Sequence, residues 1–147
     1  MYDHILVSTD GSEFAQRGVD HALSLAKALN SKLTVVTATE ALAAVAYGEG
    51  WLSDPEAYQI YEADRARSAE EKLTAVKASA ERMGVPAETL HVPDKRAAAA
   101  ILETADSLGC SLIVMSSHGR RGVSRLLLGS QTAEVLAQSP IPVLVVR

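Results

Sequence analysis

The sequence predicts an α/β fold, a doubly wound parallel sheet of five strands with helices on both faces, in a single domain over residues 1–147. Short β-branched apolar runs alternate with amphipathic helical patterns along the chain, and neighbouring parallel strands need such crossovers. The runs ILV, LIVM and VLVV are apolar at every position, which is typical of strands covered on both faces. The predicted strand order is 3-2-1-4-5.

Two strands and two helices account for the first half of the chain. The apolar run at 4–9 is the first strand, and it ends at Asp10-Gly11-Ser12, where the Ser12 hydroxyl is suited to cap a helix. Apolar residues then recur at helical spacing from Phe14 to Leu29. The remaining elements of this half are a strand at 32–38, a loop at 40–55 with room for a helical turn in its first part, and a helix from Glu56 to Met83 that Gly84 ends.

Three strands and two helices are predicted in the second half. The strands lie at 86–92, 111–117 and 142–147, and Asp94 is expected to cap a helix that runs to Leu108 and closes at Gly109. A short helix follows from Ser130 to Gln138. The loop before it, at 118–129, is unusual because it combines glycines, arginines and leucines: Gly119, Gly122, Gly129, Arg120, Arg121, Arg125 and Leu126–Leu128.

The ends of the first and fourth strands carry the richest polar chemistry in the chain. In doubly wound sheets, ligands bind beyond the carboxyl ends of the strands at the point where the strand order reverses. Strands one and four flank that point in the predicted order. We therefore expect Asp10 and the run Ser116-Ser117-His118-Gly119 to face one crevice.

The loop at 118–129 has an anion-binding feature at each end. Gly119 is suited to a tight turn that presents backbone amides, and Gly129-Ser130 opens a helix whose amino end carries partial positive charge. Two such features favour a polyphosphate, and Leu126–Leu128 are expected to pin the loop to the core. The alternative is that the glycines serve turns only and the arginines form a solvated face.

Several other chemistries fit the sequence poorly. Neither of the glycine-rich phosphate motifs GxGxxG and GxxxxGK[ST] occurs. GRRG at 119–122 mimics the clamp of a KH domain, but it follows a strand, and a formal net charge of −4 argues against nucleic acid. A phosphorylation domain of the receiver type would need a pair of acidic residues after the first strand, where this chain has Asp10 alone. The histidines and the single Cys110 show no metal-ligand spacing, and Cys110 is expected to be a buried, inert thiol.

Three stretches of the chain resemble the universal stress protein family, namely ILVSTDGS, SSHGRRGVSRLLLGS and SPIPVLVVR. The similarity covers essentially the whole chain in the same order. ATP-binding members of that family carry glycine, two residues, glycine, nine residues, and glycine followed by serine or threonine. Gly119 and Gly129-Ser130 match this pattern at the required spacing. Ser116 replaces the first glycine and narrows the expected pocket, and Ser8 stands where proline is frequent.

The resemblance implies an ATP site, and no residue is assigned to catalysis. A metal, if present, is expected to arrive as Mg²⁺ on the nucleotide rather than to bind a protein cage. Asp10 would face the nucleoside, although its alternative role is a turn aspartate that binds nearby backbone amides. Ala38 would offer backbone hydrogen bonds to adenine. The full implied set is Asp10, Ala38, Met115 and Ser116 for the nucleoside, and Gly119, Gly129, Ser130 and the Gln131 amide for the phosphates, with His118 and Arg120 as further candidates for phosphate contacts.

The first hypothesis is therefore an ATP-binding regulatory module of the stress response. A slow ATPase is the second, although no carboxylate base is expected near the phosphates, and transfer needs a group that positions water. A nucleotide-free dimeric interaction protein is the third, and Ser116 favours it.

The last strand predicts a homodimer. This strand is apolar and lies at a sheet edge, where unpaired backbone groups invite pairing with a second chain. The family resemblance implies the same assembly, and we expect Ile141, Val143 and Val145 to be buried between subunits. A short and harmless edge is the alternative. No apolar run approaches the ~20 residues that span a bilayer, and signal-peptide features are missing, so a cytoplasmic location is expected.

Overall fold

The computed structural model of the chain describes residues 1–41, 54–119 and 127–147. Its strands are β1 (His4–Ser8), β2 (Lys32–Thr39), β3 (Ala87–Pro93), β4 (Leu112–Ser116) and β5 (Val143–Val146). Its described helices are α1 (Glu13–Leu29), α2 (Pro55–Met83), α3 (Ala97–Ser107) and α4 (Ser130–Gln138). These bounds lie within one or two residues of the predicted ones. Most of the predicted loop at 40–55 lies outside the described residues.

The five strands form one parallel sheet in the order β3-β2-β1-β4-β5, so the predicted doubly wound fold is confirmed. The order reverses between β1 and β4, from which the sheet grows outward in both directions. β1 ends at Ser8, which pairs with Val36, whereas β2 runs on to Thr39. A crevice therefore opens beyond the end of β1, between β2 and β4.

The core consists of two apolar layers, one on each face of the sheet. Ile5 and Val7 of β1 face the layer that α1 and α2 cover, with Leu23 and Leu73 among its buried residues. Leu6 of β1 faces the other layer, which α3 and α4 cover. Alternate residues of one strand are thus buried in opposite directions, and this explains the unbroken apolar runs in the sequence.

Local hydrogen bonds fix the start of α1 as the sequence predicts. The Ser12 hydroxyl accepts a hydrogen bond from the Ala15 amide at 3.1 Å. The helix ends at Asn30, which has a left-handed φ of 55°. The same kind of C-terminal cap ends α2 at Gly84, with φ of 70°, as predicted.

The prediction that Asp94 caps α3 is wrong. Asp94 itself has a left-handed φ of 57° in the turn after β3, and the residue at the N-cap position is Arg96, whose side chain makes no capping bond. A side chain from α4 replaces it, because Gln131 Oε1 accepts a hydrogen bond from the Ala98 amide at 2.8 Å. An ion pair of 2.8 Å between Arg96 and Glu134 joins the same two helices nearby.

Gly18 brings α1 close to the end of β4. A Cβ at this buried position would lie 3.3 Å from the backbone nitrogen of Ser116 and 3.6 Å from the carbonyl carbon of Met115. Both atoms belong to backbone, so neither can swing aside. Glycine at this position therefore sets the height at which α1 passes over the strand end that borders the crevice.

Within the described ranges, none of the helices combines the length and the apolar character needed to cross a membrane.

Candidate functional site

A pocket of about 610 Å³ lies in the crevice beyond the carboxyl ends of β1, β2 and β4. The structure brings together in its wall all eight residues that the family resemblance implies for the nucleotide, and His118 with them. The eight are Asp10, Ala38, Met115, Ser116, Gly119, Gly129, Ser130 and Gln131. Arg120, the remaining candidate, lies outside the described residues. Residues that are far apart along the chain thus share one cavity at the reversal of strand order.

Backbone hydrogen-bonding groups of β2 line the crevice because β1 is shorter. The Thr9 amide donates to the carbonyl of Val36 at 2.9 Å, so Val36 directs its backbone groups toward β1. Thr39 directs its carbonyl the other way, toward the Lys95 amide at 3.2 Å. Since successive residues alternate, the N–H and C=O of Ala38 face the β1 side, where that strand has already ended. Ala38 therefore presents a donor and an acceptor to the pocket.

Asp10 makes the turn contact that the sequence allows and also lies in the wall of the pocket. Its Oδ1 accepts a hydrogen bond from the Ser12 amide at 2.9 Å, which is the turn role. Its Oδ2 lies on the other side, where a Cβ built on Gly119 would be 2.7 Å away. The carboxylate therefore borders the loop after β4 as well as the start of α1. The sequence assigned Asp10 to the nucleoside side alone, and the structure places its carboxylate beside the loop after β4 as well.

Polar side chains brace the start of the loop that follows β4. The Ser116 hydroxyl donates to the carbonyl of His118 at 2.6 Å, and the Ser117 hydroxyl lies 3.0 Å from His118 Nδ1. The His118 ring packs against Phe14 of α1, with 6.0 Å between ring centroids. Its Nε2 is buried and has no hydrogen-bond partner among the residues that the structure describes. The Ser116 hydroxyl is thus hydrogen-bonded within the loop that it begins.

The start of α4 offers backbone donors to the pocket. The first helical hydrogen bond runs from the Ala133 amide to the carbonyl of Gly129 at 2.9 Å, so the amides of Ser130, Gln131 and Thr132 precede the helical ladder. The Gly129 amide donates to the Ser117 carbonyl at 2.8 Å and closes the base of the loop. This helix end, with its partial positive charge, can hold an anion.

Two expectations about the loop need correction. Gly119 does not adopt a left-handed φ, so a tight turn is not what requires glycine there. A side chain at this position would instead come within 2.7 Å of the neighbouring Asp10 carboxylate, which would have to move. Leu127 and Leu128 do not pin the loop into the core, because they are 71% and 44% exposed and border the pocket instead. Leu126, Gly122, Arg121 and Arg125 lie outside the described residues.

Sequence reasoning missed several residues of the pocket wall. Glu40 directly follows β2, and its position at the carboxyl end of a strand could have indicated that it lines the pocket. Thr132 is a buried polar residue whose hydroxyl donates to the carbonyl of Ser116 at 3.0 Å. Ala97 and Ile101 of α3 complete the wall, and no local motif indicates them. They reach the pocket only because α3 crosses the sheet there.

The described ranges contain neither a cluster of metal-binding side chains nor an activated thiol. No group of three or more His, Cys, Asp or Glu residues within them is placed to hold a metal ion. Cys110 is buried, and this burial raises the pKa of its thiol, which lowers the fraction of reactive thiolate.

Comparisons with known proteins agree over the length of the chain. A model of the universal stress protein family matches residues 1–147. A universal stress protein of Thermus aquaticus is 35% identical over 147 residues, and YxiE of Bacillus subtilis is 33% identical over 153 residues, each alignment covering 100% of both chains. The crystal structure of a universal stress protein in complex with cAMP is similar at a TM-score of 0.71, with 28% identity, over 99% of this chain and 97% of that one.

Proposed function

The chain belongs to the universal stress protein family, and on this premise we propose that it binds an adenine nucleotide in the pocket at the reversal of strand order. ATP is the proposed ligand, with Mg²⁺ carried on its phosphates. The bound nucleotide makes the protein a regulatory module of the stress response in the cytoplasm.

One observation carries the proposal, which is that the pocket has chemically different ends suited to the two parts of a nucleotide. At the β2 end, Ala38 presents a backbone donor and acceptor, which complement the N1 acceptor and the N6 amino donor of adenine. At the α4 end, the amides of Ser130, Gln131 and Thr132 complement phosphate oxygens. The volume of about 610 Å³ falls within the range of small-molecule sites.

A related structure supports a nucleotide in preference to other anions. The universal stress protein crystallised with cAMP is 28% identical to this chain and is similar over nearly its full length. We transfer to this chain only the class of ligand, a nucleotide with an adenine base. Each of the eight pocket residues that the family resemblance implies for the nucleotide is then proposed for that role.

A nucleotide-free interaction protein is the second candidate, and Ser116 is the observation that favours it. This residue stands at the first glycine position of the family pattern and lines the pocket. Its hydroxyl, however, donates to the carbonyl of His118 at 2.6 Å and is turned toward its own loop. A side chain held in this way narrows the pocket less than one that projects into it, and binding is therefore the stronger candidate.

We also propose that the protein forms a homodimer through β5. This strand lies at one edge of the sheet, and Leu144 is 37% exposed on it. Pairing with the same strand of a second copy would satisfy the outer backbone groups and bury Ile141, Val143 and Val145 further.

Titration calorimetry with ATP-Mg²⁺ tests the proposed ligand, together with a pair of variants that differ only in position. Ala97 lines the pocket at the start of α3, whereas Ala99, in the same helical turn, does not. Ala97→Glu places a carboxylate in the pocket and should abolish binding, while Ala99→Glu should leave it unchanged. Absence of heat with the unsubstituted protein at millimolar ATP would make the nucleotide-free candidate the better one.

A further inference from the structure

Gln131 has a side-chain amide whose orientation the fold determines. Its oxygen, Oε1, accepts a hydrogen bond of 2.8 Å from the backbone amide of Ala98, and a backbone amide can only donate. The nitrogen Nε2 must therefore occupy the other arm of the carboxamide. The two arms diverge from one planar carbon, so Nε2 points away from Ala98.

The surroundings of Gln131 indicate what Nε2 is available to do. Gln131 lines the pocket, and no residue in the described ranges accepts a hydrogen bond from Nε2. It is the second residue of α4, beside the amides of Ser130 and Thr132 that precede the helical ladder. Nε2 thus adds side-chain donors to a group of backbone donors that already suits an anion.

We propose that the Gln131 carboxamide is a two-sided contact, in which Oε1 caps α3 and Nε2 donates to a phosphate oxygen of the bound nucleotide. This inference rests on the proposed function and assigns to the side chain a role beyond that of the backbone amide. Because Ala97 and Ile101 of α3 form part of the pocket wall, the same contact also sets the position of that wall relative to the phosphate end.

Substitution by glutamate separates the two sides of the contact. Gln131→Glu keeps an oxygen that accepts from the Ala98 amide, and a negative charge near the first turn of α3 is favourable. It replaces the Nε2 donors with a charged acceptor, which repels phosphate. Gln131→Met removes both sides at similar length. Glu134→Gln is the matched control, because Glu134 joins the same two helices through Arg96 but does not line the pocket.

Calorimetry with adenosine, AMP and ATP-Mg²⁺ is combined with amide hydrogen exchange at Ala98. Gln131→Glu should lower the affinity for AMP and ATP about tenfold or more, leave adenosine unchanged, and keep the Ala98 amide protected. Gln131→Met should lower AMP affinity and also accelerate exchange at Ala98. Glu134→Gln should bind all three ligands like the unsubstituted protein.

The results that overturn the inference differ from those that overturn the proposed function. If the unsubstituted protein binds AMP and Gln131→Glu binds it within about twofold of that affinity, the phosphate contact is wrong. An equal loss for adenosine would move the contact to the nucleoside and also reject it. Slow exchange at Ala98 in Gln131→Met would reject the capping side. Failure of the unsubstituted protein to bind any adenine nucleotide removes the proposed function, and the phosphate contact with it.

Discussion

Substitution of Gly119 tests the pocket at the point where its geometry is tightest. A Cβ at this position would lie 2.7 Å from Asp10 Oδ2, below the 3.0 Å that real Cβ atoms essentially never cross. Asp10 cannot turn away without weakening the 2.9 Å bond between its Oδ1 and the Ser12 amide. Hydrogen bonds to charged groups contribute about 1.5–3 kcal/mol. The backbone itself accepts a side chain, since Gly119 has no left-handed φ.

We therefore expect Gly119→Ala to lower the affinity for ATP-Mg²⁺ about ten- to hundredfold, because either Asp10 or the loop must move. Gly119→Val should abolish binding. The assay is titration calorimetry, accompanied by thermal unfolding of each variant. Weakening the bond between Asp10 and the Ser12 amide also costs native stability, so the Tm of Gly119→Ala should fall by several degrees even though its backbone is unstrained.

Gly109→Ala is the matched control for this prediction. Gly109 has a left-handed φ of 63° and would place a Cβ in open space, away from the pocket. A side chain in that conformation costs about 1–2 kcal/mol, and a domain of this size loses about 2–4 °C in Tm for each kcal/mol. The control should thus lose stability and keep its ATP affinity. Unchanged affinity in Gly119→Ala, or a loss of affinity in Gly109→Ala as large as that in Gly119→Ala, would refute the reasoning.

The remaining predictions concern the serine of the motif, hydrolysis and assembly. Ser116→Ala and Ser116→Gly both lose the hydroxyl bond to His118, but only glycine also removes the Cβ from the pocket. Calorimetry should therefore find tighter ATP binding in Ser116→Gly than in Ser116→Ala. The reverse order would show that the side chain does not narrow the pocket. Phosphate release should stay well below about one turnover per second, since the described groups assigned to the phosphates are backbone amides, which bind an anion but cannot accept a proton from water. Faster turnover that disappears in Asp10→Asn would overturn this and make Asp10 Oδ2 the base. The unsubstituted protein should scatter light as a dimer at micromolar concentration and Val145→Lys as a monomer with native circular dichroism, whereas a monomeric unsubstituted protein would disprove the dimer.

The strands could be predicted because each carries its own signal, whereas their order followed from the doubly wound fold class and not from any single strand. A strand buried on both faces needs apolar residues at successive positions, and such runs are visible without any knowledge of their neighbours. The cap of α1 was equally visible, because the Ser12 hydroxyl and the Ala15 amide are only three residues apart. Hydrogen bonds between near neighbours and short apolar runs can therefore be predicted from a contiguous stretch of sequence.

The cap of α3 could not be predicted in this way. Gln131 and Ala98 are 33 residues apart, and they meet only because α3 and α4 cover the same face of the sheet. Sequence reasoning instead assigned the cap to Asp94, the nearest residue of a suitable type, which the structure places in a left-handed turn. Sequence reasoning missed Ala97 and Ile101 for the same reason, since the packing of α3 and not a local motif places them in the pocket wall.

Asp10 demonstrates why a local explanation of a residue does not exclude a functional one. The sequence offered a turn aspartate or a ligand contact as alternatives, but a carboxylate has two oxygens, and the structure uses them in different directions. Oδ1 holds the Ser12 amide at the start of α1, and this bond fixes the side chain so that Oδ2 stands beside Gly119 at the pocket. The turn bond is therefore what orients the carboxylate toward the site. The Gln131 carboxamide follows the same logic, since the oxygen that caps α3 determines where the nitrogen points.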